Sequence, residues 1–246
     1  MDAVIISKDI RKLAGNRLKH YTVTQGSCAG SKYIYMIFEQ KPKHGRPHRC
    51  KVVKYDPGTK RIVKVSGALK VGHGNDITIK DHTLYITHSA GAKTIHRVDS
   101  KTLKQRKGVK VRVPKRFKGV KAFNGIASYG SGFLLRVMGG NKIAVVNSKF
   151  KIVNVFRTET NWTTSQGATI QGRLLLRAYS HAQSGKNYLV WYSLKGKQKR
   201  RSKVELEGEM ESVFLFNGEF YVTTYIKRGK KREAYIAKID GPEGSC

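Results

Sequence analysis

One pattern recurs along the 246-residue chain and limits the folds open to it more than any other feature. The stretch "VTQGSCAGSKYIYMIFEQ" (23 to 40) is followed by four others with the same order of parts: "GHGNDITIKDHTLYITHS", "AFNGIASYGSGFLLRVMGG", "TSQGATIQGRLLLRAYS" and "EMESVFLFNGEFYVTTYI". In each, a polar residue and a small or short one open a short strand, a tight polar turn follows, and an apolar strand closes. The opening pairs are Gln25-Gly26, Asn75-Asp76, Asn124-Gly125, Gln166-Gly167 and Glu211-Ser212, so successive copies begin 50, 49, 42 and 45 residues apart. That is the roughly 40–50-residue period of a four-stranded propeller blade.

A third run follows each copy ("KVVKYD", "TIHRVD", "IAVVNS", "YLVWYS", "AYIAKID"), and after most of these comes a fourth, as in "KRIVKVSG" and "FKIVNVF". Two-residue alternation, β-branched and tyrosine content, and Gly, Asn and Asp at the breaks argue for strand throughout, with no long helix. The fifth copy stops at "AYIAKID" with only "GPEGSC" after it, so it lacks an outer strand, while the N-terminal "AVIIS" is unassigned. Residues 3 to 7 are therefore expected to complete the last blade and leave no open ring edge. The prediction is an all-β fold: a five-bladed β-propeller over 1–240, one domain, with a flexible tail at 241–246.

Propeller topology brings the starts of the inner strands and the ends of the second strands to one channel mouth. Gln25, Asn75, Asp76, Asn124, Gln166 and Glu211 converge there, with Glu39, His88, Tyr179 and Tyr225 closing second strands. Buried amides at Gln25, Asn124 and Gln166 can serve the backbone where blades meet. Glu211 and Asp76 are acids in a positive mouth and, with His88, the candidates for acid–base chemistry. Arg136 and Arg177 lie inside apolar second strands and need a partner, either those acids or an anionic ligand. His73, His88 and His181 match no metal-ligand spacing, so no metal site and no cofactor are expected. Cys28, Cys50 and Cys246 form no even disulfide set, and a strand between the first two keeps them from bridging.

The charge is far from neutral: 49 Lys and Arg against 16 Asp and Glu leave +33, with pI near 10.3. A polyanionic partner is implied, which leaves nucleic acid, anionic cell-wall polymer, acidic polysaccharide and anionic lipid open. The basic runs are 41–51, 104–121, 195–203 and 227–232. Lys41, Lys43, Arg46, Arg49, Lys115, Arg116, Lys118, Lys227, Arg228, Lys230, Lys231 and Arg232 are expected to collar the mouth as anion-binding residues, with 195–203 toward the opposite face and rim. Few aromatics interleave these runs, which argues against single-strand stacking, although charge alone predicts non-specific nucleic-acid binding in vitro. The apolar run near the N-terminus is too short for a signal-peptide core, and no stretch of about 18 apolar residues occurs. A monomer without a transmembrane segment is expected.

The blade openings "TVTQGSCAGSKYIY", "GHGNDITI", "TSQGATIQGRLLLRAYS" and "MESVFLFNGEFYVTTY", the last followed by "AYIAKID", resemble the helveticin J family of secreted, bacteriocin-like proteins. The resemblance implies an extracellular or cell-surface protein that docks an anionic bacterial envelope polymer or glycan; the cytoplasm stays open as an alternative. Thr24-Gln25-Gly26 is similar to plant-type glutaminyl cyclases, but there glutamates open several blades and here only Glu211 does. Two other classes remain beside the binding propeller: a glycan hydrolase, lyase or cyclase using Glu211 or Asp76, and a nucleic-acid binder.

Overall fold

The computed structural model describes residues 1–40, 48–88, 93–159, 165–181 and 185–240. Five antiparallel four-stranded sheets form five propeller blades. Blade 1 runs outward through β2 (Tyr21–Ala29), β3 (Ile34–Gln40), β4 (Arg49–Asp56) and β5 (Arg61–Val65). Blade 2 is β6 (Asp76–Lys80), β7 (Thr83–Thr87), β8 (Thr94–Asp99) and β9 (Gln105–Lys110). Blade 3 is β10 (Phe123–Tyr129), β11 (Gly132–Val137), β12 (Lys142–Val146) and β13 (Ile152–Arg157). Blade 4 is β14 (Ser165–Gln171), β15 (Leu174–His181), β16 (Lys186–Ser193) and β17 (Gln198–Val204). Blade 5 is β18 (Glu209–Phe216), β19 (Glu219–Arg228), β20 (Lys231–Ile239) and the N-terminal β1 (Ala3–Ile5).

β1 closes the ring as the sequence predicts. It pairs antiparallel with β20 through Ala3 opposite Ile239 and Ile5 opposite Ala237. The inner strands β2, β6, β10, β14 and β18 pack one against the next, with β18 returning to β2. Because side chains alternate across each sheet, every second strand feeds two interfaces. In β3, Ile34, Met36 and Phe38 join the core against blade 5, whereas Tyr35 and Ile37 join the core against blade 2. Five such wedge-shaped cores lie between the five blades.

The short helix α1 (Ile10–Ala14) plugs the wedge between blades 5 and 1 with Ile10, Ala14 and the nearby Leu18. Asp9 caps it by accepting from the Arg11 amide, and the same carboxylate oxygen accepts from the Ala234 amide of β20, which fastens the helix to the blade. The edge strands β9 ("QRKGVK") and β17 ("QKRRSKV") carry runs of exposed Lys and Arg, a composition that discourages edge-to-edge pairing with other chains. Cys28 and Cys50 are free, buried thiols. No described helix is long and apolar enough to cross a membrane. The tail foreseen at 241–246 lies outside the described residues.

Candidate functional site at the channel mouth

The repeated polar-plus-small pair has a geometric cause. In blades 1, 3, 4 and 5 it sits at a register shift in the inner strand, a β-bulge between Thr24 and Ser27, Phe123 and Gly125, Ser165 and Ala168, and Met210 and Ser212. The bulges turn the inner-strand backbones toward one another at the axis, where little side-chain volume fits. A Cβ at Gly26 would stand 2.6 Å from the Asp76 Cα, and one at Gly167 would stand 2.8 Å from the Ser212 Cβ.

Asp76 is 1% exposed and occupies that axis. Its carboxylate accepts from the amides of Ile77 in its own blade, Ile126 in blade 3 and Ala168 in blade 4. Three blades are thereby tied to one side chain. Burial pushes its pKa up to about 7, outweighing the amide donors and the Arg136 charge that favour the ionised form. On the other side of the axis, hydroxyls of Ser27, Ser212 and Thr223 join blades 1 and 5.

One sector of the mouth is acidic. Glu39, next to last in β3, lies on the face that carries Tyr35 and Ile37, so it points into the wedge between blades 1 and 2 and is 4% exposed. The Nδ1 atoms of His48 and His73 both meet its Oε1, the latter at 2.6 Å. His73 is presented by a Gly72-His73-Gly74 turn in which both glycines have positive φ; a Cβ at Gly74 would press on the Cys50 Sγ at 2.9 Å. Burial raises the Glu39 carboxyl's pKa, but the His73 and His48 contacts together outweigh it and hold the group below the usual range.

Glu211 is the opposite case. At 5% exposed, it is held well above the ordinary carboxyl range by burial and then by the charges of Glu209 and Glu39. Glu209 is itself raised by burial, against a 2.8 Å hydrogen bond donated by Gln166 Nε2. Two acids of one sector are therefore displaced in opposite directions. Asn75 and Asn124 each hold a buried Oδ1 without a hydrogen-bond donor among the described residues.

The sector between blades 3 and 4 is cationic. Sequence alignment puts Arg136 and Arg177 at equivalent places, but the register differs by one residue: Arg136 pairs with Gly125, and Arg177 pairs with Ala168, the residue after the equivalent Gly167. A slip of one reverses the face. Arg136 thus points toward blade 4 beside Leu134, and Arg177 points toward blade 3 beside Leu175 and Tyr179, so both enter the same wedge. Arg136 Nη1 donates to the Ser165 carbonyl at 2.6 Å; Arg177 donates to the hydroxyls of Thr158 and Ser165. Burial and then the Arg177 charge bring Arg136 down to about 10. Tyr179 lies in this wedge with its hydroxyl 2.9 Å from that of Tyr192.

The remaining expected site residues are more peripheral. Tyr225 is half-buried beside Arg232, with its hydroxyl pKa raised chiefly by burial. His88 faces blade 1 with its ring 5.0 Å from His96, and burial lowers both imidazoles, His96 to about 4. Lys115, Arg116 and Lys118 are exposed in the segment before β10, and Lys227, Arg228, Lys230 and Lys231 are exposed at the β19–β20 hairpin, with Arg49 and Arg232 half-buried. Arg228 is engaged by Glu207 and Glu233. Lys41, Lys43 and Arg46 lie outside the described residues. Spacing does not reveal the grouping of Glu39 with His48 and His73, because one member lies in a strand and the other two in separate connections; only the two-residue alternation of β3 hints that Glu39 points inward.

No family model matches the chain, and no curated protein matches it. Among solved structures it is similar to the β-xylosidase RS223, with a TM-score of 0.60 at 10% identity over 92% of this chain and 95% of that one. It is also similar to a luciferin-regenerating enzyme, with a TM-score of 0.52 at 14% identity over 98% and 96% of the two chains. A chain of a nidogen–laminin complex gives a TM-score of 0.50 at 13% identity over 83% and 73%. At these identities the likeness is one of fold.

Proposed function

We propose that this chain is a non-catalytic binding propeller that docks an anionic envelope polymer or glycan at the cell surface or outside the cell, as the helveticin J-like motifs imply. The observation that carries the reading is the charge imbalance. Even if each of the 16 acidic side chains neutralised one cation, 33 Lys and Arg would be left over. Asp76 and Glu211 are buried and make no ion pair with Lys or Arg among the described residues, so neither offsets a surface cation. A collar of these exposed cations around the polar ring would hold a polyanion and present its individual groups to Gln25, Gln166 and the blade 3–4 arginines.

The test separates this face from charge in general. Replacing Lys115, Arg116, Lys118, Lys227, Lys230 and Lys231 with Gln should weaken binding to an isolated anionic wall polymer by at least ~10-fold at fixed salt. Replacing six lysines of the opposite face (Lys32, Lys101, Lys104, Lys149, Lys195 and Lys197) should cost much less. Equal losses would contradict the proposal.

A second reading has one observation in its favour. Glu39 and Glu211 are displaced in opposite directions, the arrangement in which one carboxyl serves as base and the other as acid. If the mouth hydrolyses or eliminates across a glycan bond, Glu211→Gln should lower turnover by ~100-fold or more. Unchanged product yield would remove Glu211 from that role.

A further inference from the structure

We propose that Glu39, His48 and His73 form a binding site for a divalent first-row transition-metal ion of the Zn2+ class. The donor atoms are one carboxylate oxygen and two imidazole nitrogens, all within 4.8 Å of one another. Two imidazoles with one carboxylate suit Zn2+, which takes nitrogen at about 2.0–2.1 Å and oxygen at about 2.0–2.2 Å and tolerates three protein ligands with one open position. The same set disfavours Mg2+ and Ca2+, which prefer all-oxygen shells.

Two further features point to a cation. In a chain with three basic residues for every acidic one, no Lys or Arg side chain forms an ion pair with Glu39 or Glu211 among the described residues. The partners of Glu39 are instead the two histidines, and Glu211 is close enough to feel its charge. Among the described residues the Glu39 carboxylate has two imidazoles and no Lys or Arg as its ion-pair partners, so the cluster offers a divalent ion both charge and donor atoms. The donors are also held in place. Glu39 is fixed by its strand and the wedge core, and His73 sits between two left-handed glycines packed against His88 and Cys50. His48 lies just before β4, with its side chain 43% exposed, and gives an entering ion access to the cluster.

The experiment uses tag-free, chelator-treated full chain titrated with Co2+, read by its visible ligand-field absorption, and with Zn2+, read by calorimetry. The expected result is one equivalent of each ion, a strong tetrahedral-type cobalt band, and displacement of Co2+ by Zn2+ but not by Mg2+ or Ca2+. Glu39→Gln and His73→Ala should each weaken affinity by ~100-fold or more, since changes in outer-shell partners alone typically cost 10–100-fold. Exposed His20 replaced by Ala serves as the control and should bind as the parent does. If Glu39→Gln fails to fold, His48→Ala at the exposed edge of the cluster carries the same expectation. Absence of stoichiometric uptake, or uptake equal in the parent and the ligand variants, would overturn the site and leave a histidine-clamped carboxylate, with the polymer-binding reading unaffected.

Discussion

Replacing Asp76 with Asn probes the axis most sharply, because two physical effects give the substitution opposite pH dependences. Asp76 accepts three backbone amides from three blades, and an Asn side chain has one acceptor oxygen and turns an NH2 donor toward the rest. At least one buried amide then loses its acceptor, a cost of about 1–3 kcal/mol. Against this stands the titration of the native carboxyl. Its folded pKa of about 7 lies above the ordinary 3.8, so the folded state holds the proton more tightly than the unfolded chain does. Stability from this group is therefore full below about pH 4 and is withdrawn as pH rises toward 7. Between pH 5 and pH 8 the native protein should lose about 2–3 kcal/mol through Asp76, a loss the Asn variant cannot suffer. Urea unfolding of both proteins at the two pH values gives the difference directly. The variant should be less stable at pH 5, with the gap narrowing or reversing at pH 8. A gap that widens with pH would mean that the amides outweigh burial and would refute the reasoning.

Other consequences follow from the same packing. Gly26→Ala should destabilise by about 1–3 kcal/mol or more, since its Cβ meets the backbone of Asp76 and Ile77, which cannot rotate away; Tm measured beside Gly119→Ala, where nothing lies within 4 Å, checks this. Deleting residues 1–7 uncovers the β20 edge and removes the Ser7 hydroxyl that accepts from the Ile236 amide. Lower Tm and concentration-dependent association in light scattering are expected. Arg177→Met should leave the Thr158 and Ser165 hydroxyls without their donor and relieve Arg136 of a like charge, so the Arg136 pKa should rise; a variant that binds wall polymer as tightly as the parent would place Arg177 outside the binding site.

The sequence made the architecture legible because five in-phase copies fix both blade number and strand order, and because a fifth blade short of a strand left "AVIIS" one place to go. Helix α1 was not legible: five residues are too few to show helical periodicity, and its plugging role depends on the wedge between blades 5 and 1. The arginine pair was legible as a pair but not as a facing pair, since a bulge that shifts pairing by one residue leaves no mark in the spacing of Leu135-Arg136 and Leu176-Arg177. Asp76 stood out as an acid in a row of amides and glycines, yet its three amide partners come from blades 50 and 92 residues away as well as its own. Glu39, His48 and His73 were the least legible, because they meet through strand alternation, the approach to β4 and a glycine-flanked turn, which no linear motif records.

The central claim is recognition of an anionic polymer at the mouth face, and its most direct test is a salt series of binding to purified Gram-positive cell walls, with and without their anionic polymers, beside a basic control protein of matched charge. Binding to intact walls should persist at salt concentrations that release the control, and replacing Gln25, Gln166 and Glu211 should remove this excess. Release in parallel with the control, unchanged by those replacements, would contradict the claim.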